Sequence, residues 1–372
     1  MSGSTPGSTP GSTASSTPSS APPAAALLDQ VAADRVAAGT AEDTSAWAGV
    51  TAAASRAPEG TDVVLDLAGV SHNFGPNLVL HDIDLQIARG QITALVGPSG
   101  SGKSTLLRSI LGTHPPNGGQ VRIDGEFVGA PTRRSGIVYQ RYTLYPFLTA
   151  VENVMFGLAL EQSGPFSWLN VPKWRANRRV WREESMAMLE RVGLADAAKR
   201  YPAEMSGGMC QRVAIAQTMV MKPEILLLDE PFGALDEATR ESLQQMLLGF
   251  YAENLEDRSA GRPPRYTIVI VTHELNEAIY VSDRVIGLSQ YWDWRAEGHA
   301  AAPGATIVYD TVAPVFTVAC ERDFVRFTDQ REAVRRWVMD TETLQPRGEH
   351  VRFWDHVKAG TAEGILGPSS TA

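Results

Sequence analysis

The sequence predicts an α/β fold organised on a phosphate-binding loop (a P-loop), and three observations carry that reading. An apolar run, Ile92-Thr93-Ala94-Leu95-Val96, leads into Gly97-Pro98-Ser99-Gly100-Ser101-Gly102-Lys103-Ser104-Thr105, and this into the helix-like Leu106-Leu107-Arg108-Ser109-Ile110-Leu111. Two further apolar runs, Ile225-Leu226-Leu227-Leu228 and Ile268-Val269-Ile270-Val271, flank a helical stretch at about residues 237–251. That is the pattern of buried parallel strands joined by a crossover helix. From about residue 151 to 220, apolar residues recur at three- and four-residue spacing, through Met186, Leu189, Val192 and Leu194, and predict a helical subdomain.

A strand that ends in a glycine loop and resumes as a helix is the context that holds phosphate. Its glycines let backbone N–H groups turn inward onto an anion, and the helix N-terminus adds partial positive charge. Lys103 is placed to reach the outer phosphates and the Ser104 hydroxyl to sit on Mg²⁺. This loop implies a nucleotide without saying what is done with it.

Composition narrows the class. At 372 residues and a formal charge of −9, the chain lacks the basic footprint of a general nucleic-acid coat, so no nucleic acid is expected as a partner. Its two cysteines, Cys210 and Cys320, have no metal-ligand spacing, which points to a reduced, cytosolic setting. No run of about 18 apolar residues is present, and no basic-then-apolar leader opens the chain, so neither a membrane span nor a secretory signal is expected. If the protein works at a membrane, another chain holds it there.

In chain order, residues 1–60 are expected to be a disordered arm. Residues 1–24 are of low complexity, repeating Gly-Ser-Thr-Pro from Gly3 and Gly7, and residues 25–60 are alanine-rich linker. The folded part, residues 61–290, begins with strand-like stretches at 63–67, 70–75 and 78–87, the last with apolar alternation. Residues 118–125 predict a strand ending in a turn, and Ile137-Val138-Tyr139-Gln140 another buried strand. Residues 165–177, with Phe166, Trp168, Pro172 and Trp174, read as a loop inserted in the helical region. Residues 256–265, charged and rich in Pro and Gly, read as a surface loop. Residues 291–372 form a C-terminal extension, with a strand expected at 306–309, an amphipathic helix at 322–338 and a frayed end from 359.

Asp229-Glu230 closes the run 225–228, and a carboxylate at a strand's C-terminal end sits at the rim where an α/β sheet binds its ligand. Asp229 is suited to hold Mg²⁺ through water, and Glu230 to polarise an attacking water. Between the two motifs, Met205-Ser206-Gly207-Gly208-Met209 opens a helix and makes a second anion-binding turn. Two such elements in one chain either face one nucleotide from opposing subunits or serve different ligands.

With these motifs in this order, the chain resembles the ATP-binding cassette (ABC) ATPase subunits of transporters over about residues 63–289. The likeness implies a core mixed sheet, an antiparallel β subdomain and an α-helical subdomain. It implies that Gly97 to Thr105 is the Walker A loop and Ile225 to Glu230 the Walker B strand, ending in the catalytic glutamate. Gln140 matches the glutamine that senses Mg²⁺ and the membrane partner, and His273, in Val271-Thr272-His273-Glu274, the switch histidine. Ser206-Gly207-Gly208 matches the signature that contacts ATP held by another subunit; Gly233-Ala234-Leu235-Asp236 matches the D-loop, and Phe74 the ring that stacks on adenine. Met205, Met209, Cys210 and Gln217 depart from the residues usual in that signature, but the Ser206 hydroxyl and glycine amides remain.

The resemblance further implies two ATP molecules between head-to-tail subunits, homodimeric or with a sister chain, on the cytoplasmic face of the membrane beside permease subunits. The run Tyr145-Pro146-Phe147-Leu148-Thr149-Ala150-Val151-Glu152-Asn153-Val154 is similar to the nitrate/sulfonate/taurine importer group, which adds an extracytoplasmic solute-binding protein. Tyr142 to Leu148 would receive a helix of the permease, with Glu152 contributing to assembly. A soluble ABC-type ATPase acting on nucleic acid or ribosomes is the competing class. Such proteins carry two cassettes or a long coiled coil, whereas here each motif occurs once and no heptads are sustained.

Overall fold

The computed structural model describes residues 56–141, 143–162, 171–233, 235–313 and 324–360. Residues 1–55 of the expected arm, 165–170 of the expected loop, Tyr142, the first two residues of the helix expected at 322–338 and the end beyond Gly360 lie outside them.

Two sheets share the core. β1 (Val63–Phe74) and β2 (Asn77–Ala88) pair antiparallel, and β4 (Gly118–Ile123) and β5 (Glu126–Phe127) complete a four-stranded sheet in the order β2-β1-β4-β5. The stretches 63–67 and 70–75 merge into one strand because bulges at residues 67–73 absorb the break in alternation. The larger sheet comprises β3 (Ile92–Val96), β6 (Ser135–Val138), β7 (Ile225–Asp229), β8 (Ile268–Thr272), β9 (Arg284–Ser289), β10 (Thr306–Val312) and β11 (His350–Val351). Its order is β11-β10-β9-β3-β8-β7-β6; β9, β3, β8, β7 and β6 run parallel, and β10 turns antiparallel to β9. β3 and β8 are buried along their whole length, which is why they read as continuous apolar runs.

The helices are α1 (Lys103–Leu111), α2 (Ala150–Gln162), α3 (Val171–Arg191), α4 (Gly207–Met219), α5 (Glu237–Ser259), α6 (Leu275–Val281), α7 (Phe324–Val334) and α8 (Phe353–Lys358). α2, α3 and α4 form the helical layer, with Leu158, Trp181, Leu189, Val213 and Ile215 in one apolar cluster that continues into the sheet through Leu228 and Ile270. Three details differ from the sequence expectations. Residues 171–177 are helical rather than loop, with Pro172 in the first turn where its missing N–H costs nothing. α5 runs eight residues past Tyr251, because Arg262 and Arg265 close over buried Asp257 at 2.8 Å each and satisfy its charge. α7 ends in a π-helical turn, Arg335–Met339, that seats Val338 in the core.

The extension joins the larger sheet through β10 and β11. Its anchor is the guanidinium of Arg284, which donates from Nε to Asp310 Oδ1 at 2.7 Å and from Nη2 to Oδ2 at 2.6 Å. Nη1 donates to Gln86 O at 2.6 Å, and the group lies 4.0 Å from the Phe353 ring centroid. This bidentate pair is almost wholly buried, so removing one partner strands a charge. Arg284→Met is expected to lower the unfolding free energy in urea by about 3–5 kcal/mol, and adding Asp310→Leu to recover most of it.

Candidate functional site

Parallel pairing sets the site. Val96 of β3 lies beside Thr272 of β8, Val271 beside Asp229 of β7, and Leu228 beside Val138 of β6, so four neighbouring strands end at one level. At that rim each strand hands over one predicted motif: the Lys103 loop after β3, His273 after β8, Glu230 after β7 and Gln140 after β6.

Gly97 through Gly102 form the turn between β3 and α1, with Gly100 and Gly102 in the left-handed region at φ +82° and +84°. A β-carbon on Gly102 would fall 2.7 Å from Leu80 Cδ2, so glycine there is needed for both conformation and space. Pro98 and Ser99 sit on the outer side of the turn, while the Ser101 hydroxyl is buried and has no hydrogen-bond partner. Lys103 is buried, and its Nζ donates to Gly97 O at 2.7 Å and Pro98 O at 2.9 Å, folding the cation back over the loop. Burial lowers its pKa, against the opposing pull of Glu230 and Asp229. Ser104 is exposed in the first turn of α1, and Thr105 is half-buried beside it.

Glu230 adopts φ +47°, a conformation a β-carbon disfavours, and its backbone N–H is held by Val271 O at 2.8 Å. The strained backbone accompanies a precise side-chain arrangement. Gln140 Nε2 donates to Oε2 at 3.0 Å, and His273 Nδ1 lies 3.1 Å from Oε1. The structure thus joins Gln140, Glu230 and His273, three residues 43 and 90 positions apart in the chain, through one carboxylate. Asp229 stands one residue before; its pKa is raised by burial first and by Glu230 second, with Arg108 and Lys103 pulling the other way.

Other predicted residues lie apart. The Phe74 ring, 46% exposed at the end of β1, meets His72 edge-on at 4.7 Å. Ser206 caps α4, its hydroxyl accepting from Met209 N at 3.3 Å, and Gly207 has open space around its α-carbon. A β-carbon on Gly208 would lie 1.6 Å from Thr239 Cγ2, so that glycine lets α4 and α5 meet. Asp236 caps α5, accepting from Thr239 N at 3.1 Å and Thr239 Oγ1 at 2.7 Å. Among the described residues, Ser206 to Gly208 share no hydrogen bond with the Lys103 loop; Ala234 lies outside them.

Glu152 needs a different role from assembly alone. Its carboxylate accepts from Thr149 N at 3.0 Å and Thr149 Oγ1 at 2.7 Å, hydrogen bonds that hold its pKa low and cap α2. Reversing its charge would break the cap, so it is unsuited to probing a docking surface. Tyr145 and Phe147, with rings 5.8 Å apart and Phe147 71% exposed, do present an aromatic patch there.

Sequence reasoning passed over the groups that hold the His273 turn. Thr272 Oγ1 donates to Glu277 Oε2 at 3.2 Å and accepts from Glu274 N at 3.0 Å, while Arg240 Nε lies 3.3 Å from Glu277 Oε1. The acidic residue five positions after Thr272 was the available signal. His72 and His114, which flank Phe74, carried none, being 42 residues apart and brought together only by sheet pairing.

A family model described as ABC transporter matches residues 80–233. The chain is 40% identical over 230 residues to the sulfate/thiosulfate import ATP-binding protein CysA of Escherichia coli (strain K12), covering 61% of this chain and 58% of that protein. It is 39% identical over 227 residues to the aliphatic sulfonates import ATP-binding protein SsuB 2 of Burkholderia cenocepacia (strain HI2424), covering 61% of this chain and 74% of that one. Among solved structures, cbiO1 from Clostridium perfringens, part of the ABC transporter complex cbiONQ, superposes with a TM-score of 0.51 at 26% identity, over 60% of this chain and 84% of that one. The chain therefore spans somewhat over half the length of its sulfate/thiosulfate relatives.

Because the Asp229 pKa is raised, its ionised form costs stability: the penalty is absent where both states are protonated, grows as pH rises toward the folded pKa, and is complete above it. Asp229→Asn is therefore expected to raise the melting temperature of the nucleotide-free protein, more at pH 8 than at pH 4.5, as followed by differential scanning calorimetry.

Proposed function

Since the chain belongs to the ABC transporter family, we propose that it is the ATP-hydrolysing subunit of an importer, powering passage of a small solute through a separate transmembrane permease. The observation that carries this reading is the Glu230 carboxylate, held on both oxygens by Gln140 and His273 at the level of the Lys103 loop. Glu230 so held is aimed to orient a water and accept its proton as the water oxygen bonds to the γ-phosphorus and the bond to the bridging oxygen breaks. Lys103, turning from Gly97 O and Pro98 O onto the phosphates, and His273 offset the charge that develops there. The turn from Gly97 to Thr105 cradles the phosphates, and Phe74 offers its exposed ring to the base.

The residues fit Mg²⁺ as the metal. Among the described residues no cluster of three or more His, Cys, Asp or Glu is set to hold an ion, and Mg²⁺ bound largely by substrate phosphates and water requires only one or two carboxylates with a few neutral oxygen ligands. Ser104 and Asp229, with Gln140, would supply them, and the mutual repulsion of Asp229 and Glu230 favours a cation between them and the phosphates. Bound there, Mg²⁺ would neutralise phosphate charge.

Ser206, Gly207 and Gly208, which share no hydrogen bond with the Lys103 loop among the described residues, suit contact with nucleotide on a second ATPase subunit, with Asp236 at the edge of the same junction. Attachment to the membrane is proposed through Tyr145 and Phe147 on the permease; no helix among the described residues is long and apolar enough to cross a membrane. The solutes of its relatives, sulfate/thiosulfate and aliphatic sulfonates, favour an oxyanion solute of the nitrate, sulfonate or taurine kind, delivered by an extracytoplasmic binding protein. The solute itself would touch other chains.

Glu230→Gln is expected to bind MgATP as the wild type does and to release phosphate at least about 100-fold more slowly. Unchanged phosphate release would remove Glu230 from the proposed role. Phe147→Asp should abolish co-purification of a polytopic permease from detergent-solubilised membranes while leaving MgATP binding intact; recovery equal to wild type would reject the docking surface.

A further inference from the structure

The C-terminal extension contains a buried cluster that the proposed chemistry does not use. β2 is an edge strand of the four-stranded sheet, and the segment between β9 and β10 closes part of that edge. Ala305 N donates to Val79 O and His81 N donates to Ala305 O, each at 2.9 Å, so that Leu80 and Ala305 form a parallel bridge. Gly304 takes φ +106° and approaches so closely that a β-carbon would lie 3.0 Å from the Val79 carbonyl.

Trp292 fastens this segment. It is fully buried, donates from Nε1 to Gly304 O at 2.9 Å, and stacks on His81 at 5.6 Å and 13°. His299 closes the stack edge-on, 4.9 Å from His81. Arg347, further along the extension, lies over Trp292 at 5.8 Å, donates to Asp82 O and Oδ2 at 2.6 and 2.8 Å, and pairs with Glu297 at 3.4 Å. Burial, then His299 and Arg347, lower the His81 pKa, against the opposing pull of Asp82 and Glu297.

The same strand also lies against the phosphate loop. Leu80 is wholly buried, and Leu80 and Val79 are the side chains that would meet a β-carbon on Gly102, at 2.7 and 3.0 Å. Gly102 immediately precedes Lys103 and sets where α1 begins.

We propose that residues 291–305, fastened by Trp292 and Arg347, are a positioning strap for the phosphate loop: they fix the edge of β2 and thereby press Leu80 and Val79 against Gly102. The strap makes nucleotide affinity depend on the extension, although no residue of the strap touches nucleotide. Trp292 is thus a positioning residue, and the inference rests on the reading of the loop as a nucleotide site.

The test is MgATP affinity, by isothermal titration calorimetry, of the full chain carrying Trp292→Phe, Arg347→Met or Trp181→Phe, with the melting temperature of each. Trp181 is also buried but belongs to the helical layer, so its replacement reports the effect of disturbing a buried tryptophan away from the strap. Trp292→Phe is expected to weaken binding about fivefold and Arg347→Met by about twofold, while Trp181→Phe loses melting temperature without losing affinity. Unchanged affinity in both Trp292→Phe and Arg347→Met, or an equal loss in Trp181→Phe, overturns the strap. Failure of the wild type to bind MgATP overturns the nucleotide reading beneath it, and is distinct from either result.

Discussion

The parallel register of β3, β8, β7 and β6 is the constraint on which the site depends. Hydrogen bonding between parallel strands fixes their relative height, so the four chain segments leave the sheet side by side. Once that is set, the lysine loop, His273, Glu230 and Gln140 leave the sheet at one rim, and the hydrogen bonds of Thr272 with Glu277 and Glu274 hold the His273 turn there. Glu230 then needs only a local adjustment, a positive φ, to present both oxygens to its neighbours.

Electrostatics at the rim work against the resting state. Lys103 is desolvated and folded onto its own loop's carbonyls, while Asp229 is buried beside a second carboxylate. Each group carries a charge that its surroundings only partly satisfy, as expected where a polyanion and a cation are to be received. The structural groups behave differently. Asp310 is bound on both oxygens by Arg284, and Asp257 is paired with Arg262 and Arg265; these pairs hold elements together. The same charged residue types thus serve two ends, separated by whether their partners are already present.

Much was legible in the chain because local patterns carried it. The glycine loop, the apolar strands and the acidic pair after β7 announce themselves within a few residues. The misreadings came from competition between local signals and tertiary partners. Charged residues 256–265 read as a surface loop, yet Arg262 and Arg265 neutralise Asp257 and let α5 continue. Glu152, read only for assembly, also has the spacing from Thr149 of a helix cap.

By itself, the sequence determined the identity and order of the chemical groups: which loop can hold phosphate, which carboxylates end a buried strand, and which runs become strands or helices. These follow from neighbours in the chain, where periodicity and backbone preference act. Tertiary structure alone decided that Glu230 is shared by Gln140 and His273, that Thr239 packs on Gly208 where α4 meets α5, and that Trp292 stacks on His81 in the strand behind Gly102. Each of those contacts joins chain segments whose separation no local pattern encodes, and it exists only because strand pairing and close packing bring them within a few ångströms.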